Sequence, residues 1–211
     1  DIVRFADTVD VELVKPLLDN QIRCNSAIAE EGLRGDWGAN VGRVLLSEFG
    51  SDIKNEARAY AAAASDARMS GCELPVVIVT GSGNQGITAS VPVIRYAKHI
   101  GASDERLYRA LLVSDLVTIH QKTGIGRLSA YCGAVSAGCG AGAGIAYLLG
   151  GDYRAIAHTI VNAVAILSGT ICDGAKPSCA AKIASAVEAG ILGYYMYVND
   201  QQFRGGDGIV A

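Results

Sequence analysis

Residues 76–89 read VVIVTGSGNQGITA. Gly81, Gly83 and Gly86 stand at G-x-G-x-x-G spacing, directly behind an apolar, β-branched run. If that run is a strand and the turn opens a helix, the chain is a dinucleotide-binding α/β protein. That fold also needs a second strand, ending in an acid that meets the ribose. Near the right distance stand Asp104 and Glu105. Both fall in the first turn of a helix capped by Ser103, where the helix dipole favours negative charge. The preceding RYAKHIGA lacks strand character, and strands do not alternate with helices further on. The nucleotide reading therefore fails, and no NAD is expected. A second reading fits the chemistry better. Ser82, Gly83, Asn84 and Gln85 lie just before a helix starting near Ile87, where bare backbone N–H groups can hold an anion such as a carboxylate. The amides of Asn84 and Gln85 add donors and acceptors suited to an amino acid. On spacing alone, an ordinary loop capping that helix explains the residues equally well.

Working outward, most of the chain reads as helix. Helical patterns cover 11–22, 41–69, 87–100, 103 to about 120, 126–149, 153–167 and 177–197. ARAYAAAASDARM is rich in alanine, the best helix former, with charges breaking its apolar face. Pro75 to Thr80 reads as a short strand or buried extended segment. Gly150-Gly151 and the Asp173-Gly174 region separate the last helices, and the tail QQFRGGDG reads as loose. The fold class expected is mainly α: a single helical domain over 1–211, with at most one or two short strands.

Charge is spread unevenly. The first 73 residues carry more than half of the charged side chains, whereas 128–151 carry none. That uncharged block, LSAYCGAVSAGCGAGAGIAYLLGG, is long enough to span a bilayer and has small residues at helix-packing spacing. Its Gly and Ala give weak lipid transfer, however, and no basic cluster flanks it. It reads as a buried Gly/Ala-rich central helix, and no membrane partner is expected. A net charge of -3 with no run of Lys or Arg also argues against nucleic acid as a partner. The chain begins with Asp and shows no signal-peptide pattern, so it reads as a fragment or processed piece. A chain half hydrophobic by composition does not need disulfides, so its six cysteines are expected to be reduced thiols in the cytoplasm.

Cys132 and Cys139 are seven residues apart and fall on one helix face, as counted along a continuous helix. Cys172 and Cys179 share that interval, with Gly174 and Pro177 between them. There is no C-x-x-C, and by spacing alone buried apolar filler is the ordinary reading of each thiol.

Three motifs change this. SGNQGITASVPV, GRLSAYCGAVSAGCGAG and ICDGAKPSCAAKI together resemble the α-chain domain of iron–sulfur L-serine dehydratases, and more closely the related L-cysteine desulfidase group. The resemblance covers roughly residues 70–195, with the motifs in the family's order. It implies that the glycine turn is a substrate loop of Ser82, Gly83, Asn84 and Gln85. It implies that Cys132, Cys172 and Cys179 hold a [4Fe-4S] cluster and that no pyridoxal phosphate is needed. The gap between Cys172 and Cys179 is shorter than in the serine dehydratases. Cys139 falls on a non-ligand small position, while Cys24 and Cys72 match nothing.

The implied reaction is β-elimination of L-cysteine or L-serine to pyruvate, ammonia and hydrogen sulfide or water. Three thiolates on four irons leave one iron open as a Lewis acid. Lys122, in HQKTG, lies near a lysine of the family pattern and is the candidate base, since partial burial can lower a lysine pKa. The bland reading of Lys122 is a solvated helix-end lysine. His120 and His158 read as core histidines, Asp173 as a turn cap or ligand-orienting acid, and Ser129 as a substrate contact on resemblance only. Full-length relatives carry an N-terminal portion with a further cysteine-bearing segment. This chain resembles their C-terminal part and on its own can lack both activity and cluster. Two other functions remain open: a non-catalytic domain binding a small carboxylate or a partner, and, more remotely, a membrane-embedded helical protein. The sequence leaves the oligomeric state open, a homodimer included.

Overall fold

The computed structural model describes residues 1–126, 129–172 and 174–208. Among these residues the chain forms nine helices: α1 (Ile2–Thr8), α2 (Val11–Arg34), α3 (Val41–Phe49), α4 (Ile53–Met69), α5 (Gly83–Ile100), α6 (Asp104–Ile125), α7 (Gly133–Leu148), α8 (Tyr153–Leu167) and α9 (Cys179–Val198). No strand forms among the described residues; two isolated antiparallel bridges, Val79 with Ser82 and Tyr131 with Ile171, are the β structure present.

Local chemistry sets most helix starts. Asp10, Asp52, Ser82, Ser103 and Asp152 each accept a backbone N–H in the first turn of the helix that follows. The expected single helix over 41–69 is two helices. Gly50 adopts a φ of +79°, and Asp52 then caps α4. Pro75 to Thr80 is not a ladder strand. The helix expected to begin near Ile87 starts four residues earlier, because Ser82 caps it, and Asn84 and Gln85 lie inside its first turn. Gly86 lets that turn pass under the preceding segment: a Cβ there would stand 2.0 Å from the Val77 carbonyl oxygen. The helix expected from Gly126 begins instead at Gly133, so Cys132 is a cap residue and not part of one helical face with Cys139.

The uncharged helix α7 is the centre of the fold, packed against α5, α6, α8 and α9. Its small residues allow backbone-to-backbone contact. A Cβ on Gly142 would stand 2.7 Å from the Gly190 Cα of α9, and one on Gly140 would stand 2.6 Å from the Ser114 carbonyl oxygen of α6. No helix among the described residues is long and apolar enough to cross a membrane.

Two carboxyl groups are drawn into the helical layer. Asp66 on α4 is fully buried and accepts the N–H groups of Ala39 (3.3 Å) and Val41 (2.7 Å), tying the α2–α3 connection down; burial pushes its carboxyl up. Asp115 on α6 accepts from Gln21 Nε2 at 3.1 Å, and burial pushes its carboxyl up to about 7. An unfolded aspartate titrates near ~3.9. Between these two pH values the folded chain keeps a proton that the unfolded chain has lost, so stability falls as pH rises toward 7 and then levels off. Asp115→Asn keeps the acceptor for Gln21 and removes the titration. At pH ~8 the variant is expected to be more stable than the parent by about 1–3 kcal/mol, and to match it below pH ~4. Thermal melts of both proteins across that range check this, and a pH-independent difference would refute it.

Candidate active site

Two chain segments meet at the N-terminal end of α7. Cys132 caps α7, and the segment before it pairs with the α8–α9 connection through the Tyr131–Ile171 bridge. The Cys132 N–H donates to Thr170 O at 3.2 Å, and the Cys172 N–H donates to Ala130 O at 2.6 Å. The β-branched and aromatic residues here favour such extended pairing. Cys179 is the first residue of α9; its sulfur accepts the Lys176 N–H at 3.5 Å and lies 3.6 Å from the Gly174 carbonyl oxygen. Cys132 and Cys179 are buried, while Cys172 is exposed.

Cys132 feels the other two cysteines of the family pattern. Burial pushes the Cys132 thiol up, the N–H groups of Ala134 and Val135 oppose this, and Cys172 and Cys179 push it up further. Cys132 and Cys179 stand at the N-terminal ends of α7 and α9. Among the described residues, no group of three or more His, Cys, Asp and Glu could hold a metal ion. A polynuclear cluster binds its thiolates on separate irons, which asks for a wider spread than one ion does. Three soft thiols are a donor set suited to that group. Cys139 lies inside α7, 1% exposed, with its thiol pushed up to about 12 by burial.

The glycine turn lies beside these cysteines. Ser82 Oγ accepts the Gln85 N–H at 3.4 Å, capping α5. A Cβ on Gly133, the residue after Cys132, would stand 2.4 Å from Gln85 Nε2, so the Gln85 amide lies on the start of α7. The Thr80 hydroxyl donates to Gln85 Oε1. Thr80 itself has a φ of +52°, a costly conformation for a β-branched residue and one often found at functional sites.

Two cavities flank the last turn of α6. One, of 490 Å³, is lined by Cys132, Tyr131, Val135, Thr170 and Gln121. The other, of 420 Å³, is lined by Lys122, Thr80 and Thr123. Lys122 thus sits half-buried beside the glycine turn and opens onto a different cavity from Cys132. Ser129 Oγ accepts the Tyr131 N–H at 3.0 Å, a local role in the approach to Cys132. His120 is exposed. His158 stacks on Tyr197 with ring centroids 5.2 Å apart, away from the cysteines in the helical layer. Asp173 lies outside the described residues.

The sequence reading missed Arg68. From α4, its Nη1 donates to Asn84 Oδ1 at 3.1 Å, and a Cβ on Gly83 would stand 2.3 Å from its Nε. Nothing in the sequence points to it, since it ends an Ala-rich helix in the way a solvated cation does.

Comparison with known proteins identifies the family. Residues 2–211 match the sequence model of the serine dehydratase alpha chain. The chain belongs to the serine dehydratase alpha chain family. It is similar to a UPF0597 protein of Desulfitobacterium hafniense, 69% identical over 100% of this chain and 49% of that one. A UPF0597 protein of Lachnoclostridium phytofermentans is 56% identical over 99% of this chain and 50% of its own length. The UPF0597 protein YhaM of Salmonella paratyphi B is 42% identical over 100% of this chain and 49% of its own. This alpha chain therefore spans about half the length of the curated relatives it matches. No solved structure matches it.

Proposed function

We propose that this alpha chain is the cluster-holding part of a lyase that eliminates hydrogen sulfide from L-cysteine, or water from L-serine. The observation that supports the reading is the Tyr131–Ile171 bridge, which sets the Cys132 and Cys172 segments side by side at the start of α7, against which the Gln85 amide lies. Those three thiolates would hold a [4Fe-4S] cluster, and Cys139 would not. When bound, the cluster supplies an open iron as Lewis acid for the departing sulfur or oxygen.

The chain's own residues do the rest. The Ser82–Gln85 turn holds the substrate, and Ser129 lies on the approach to it. Fixing the carboxylate there limits the motion of Cα and Cβ relative to the cysteines. Lys122, facing the same turn through Thr80, takes the Cα proton. The electron pair of that C–H bond forms the Cα–Cβ double bond, and the pair of the breaking Cβ–S or Cβ–O bond leaves with the heteroatom. The product, 2-aminoacrylate, tautomerises to an imine. Water adds to the imine, releasing ammonia and leaving pyruvate. The remaining half of the longer relatives is proposed to complete the site.

The test is anaerobic reconstitution with iron and sulfide, followed by pyruvate assay with L-cysteine and L-serine. It is run on this chain and on the full-length Desulfitobacterium hafniense relative. About four irons and pyruvate release from either amino acid support the reading. Cluster binding without pyruvate from either protein would instead leave a carboxylate-binding domain that does no chemistry.

A further inference from the structure

Among the described residues, Arg58, Arg68, Arg95 and Arg109 are the partly buried arginines. Three of them face a carboxylate: Arg58 pairs with Glu188 at 2.6 Å, Arg95 with Glu56 at 2.8 Å and Arg109 with Glu105 at 2.8 Å. Arg68 has no carboxylate within ion-pair distance among the described residues; its partner is the neutral Asn84.

We propose that Arg68, together with the Asn84 amide and the first N–H groups of α5, is the anchor for the carboxylate of a small amino acid. This deepens the reading above and rests on it for the identity of the ligand. Three observations converge. First, the guanidinium lies over Gly83, at the N-terminal end of α5, with Nε only 2.3 Å from where a Cβ would be. A cation at the positive end of a helix is the reverse of the favourable arrangement, and an anion between the two relieves it. Second, Asn84 is a buried side chain, 6% exposed, with one end engaged. Arginine only donates, so Asn84 must turn its carbonyl to Arg68 and its NH₂ elsewhere. That NH₂ bonds to no described residue. Third, Gly83 is the residue whose lack of a side chain lets the guanidinium reach the turn. The result is a cluster of donors, from an arginine fork, an amide NH₂ and a helix end, with no carboxylate among the described residues within ion-pair distance of the arginine. A planar carboxylate fits the fork with two parallel hydrogen bonds.

The test is calorimetric binding of L-alanine, which has the carboxylate and amine but no leaving group, against L-alaninamide, which lacks the carboxylate. The parent protein is expected to bind L-alanine and not the amide. Arg68→Gln is expected to weaken L-alanine binding by about tenfold or more, and Arg68→Lys by less. Asn84→Asp separates a binding role from a structural one. It sets an internal carboxylate against Arg68, so L-alanine binding should disappear while the melting temperature holds or rises. Equal binding of L-alanine by the parent and Arg68→Gln would overturn the proposal. So would no binding by the parent, equal binding of the amide, or preference for inorganic phosphate. Absence of pyruvate formation with Arg68-dependent L-alanine binding intact would count against the lyase reading alone.

Discussion

Alanine at Cys132, Cys172 or Cys179 is expected to abolish iron binding in the reconstituted protein, and Cys139→Ala to leave it at the parent level. Each of the first three removes one of the three thiols proposed to hold the cluster. Losing one leaves two soft ligands, too few for a four-iron cluster to be held by this chain. Cys139 differs in its surroundings and not in its chemistry. It is enclosed within α7, where burial holds the thiol protonated, and metal binding needs the thiolate. Iron and acid-labile sulfide contents of the four variants decide the matter. The expected result is a fall from about four irons to near zero in three variants and no change in the fourth. Equal iron in all four would refute the assignment of ligands.

Gly142→Leu is expected to destabilise the fold by about 3 kcal/mol or more, lowering the melting temperature by roughly 10 °C. At this crossing α7 meets α9 backbone to backbone. A Cβ on Gly142 would stand 2.7 Å from Gly190 Cα and Gly190 O, and a Cβ on Gly190 would stand 2.4 Å from Gly138 O. No flexible side chain lies between the helices to give way, so the helices themselves must separate. Their separation would also move Cys179, at the start of α9, relative to Cys132, at the start of α7. Gly124→Ala is the control. A Cβ at Gly124, in the last turn of α6, meets nothing within 4 Å. Alanine is the better helix former, so that change should raise stability by about 0.5–1 kcal/mol. Melting curves of the two variants check both signs; a Gly142→Leu protein melting with the parent would show that this crossing is loose.

Much of this was legible in the sequence because it depends on neighbours along the chain. Alanine-rich and apolar-periodic runs make helices, Ser103 caps one of them, and Gly150-Gly151 breaks them. An uncharged stretch dominated by Gly and Ala can only be a helix packed on all sides or a membrane span, and its poor lipid transfer favours the first. The motif order was enough to place the chain in its family, and the choice of cysteines came with it. Tertiary structure decided the rest. How closely the first turn of α5 passes the Val77 carbonyl, at Gly86, is a contact that the local helix pattern does not contain. The pairing of Cys132 with Cys172 depends on a bridge between segments 40 residues apart, Tyr131 to Ile171. Lys122 and Thr80 share a cavity although a whole helix, α5, separates them in the chain. Arg68 looked like any helix-end cation until α4 was packed beside the N-terminus of α5. A side chain's charge is written in the sequence; whether that charge is balanced depends on what other parts of the fold bring to it.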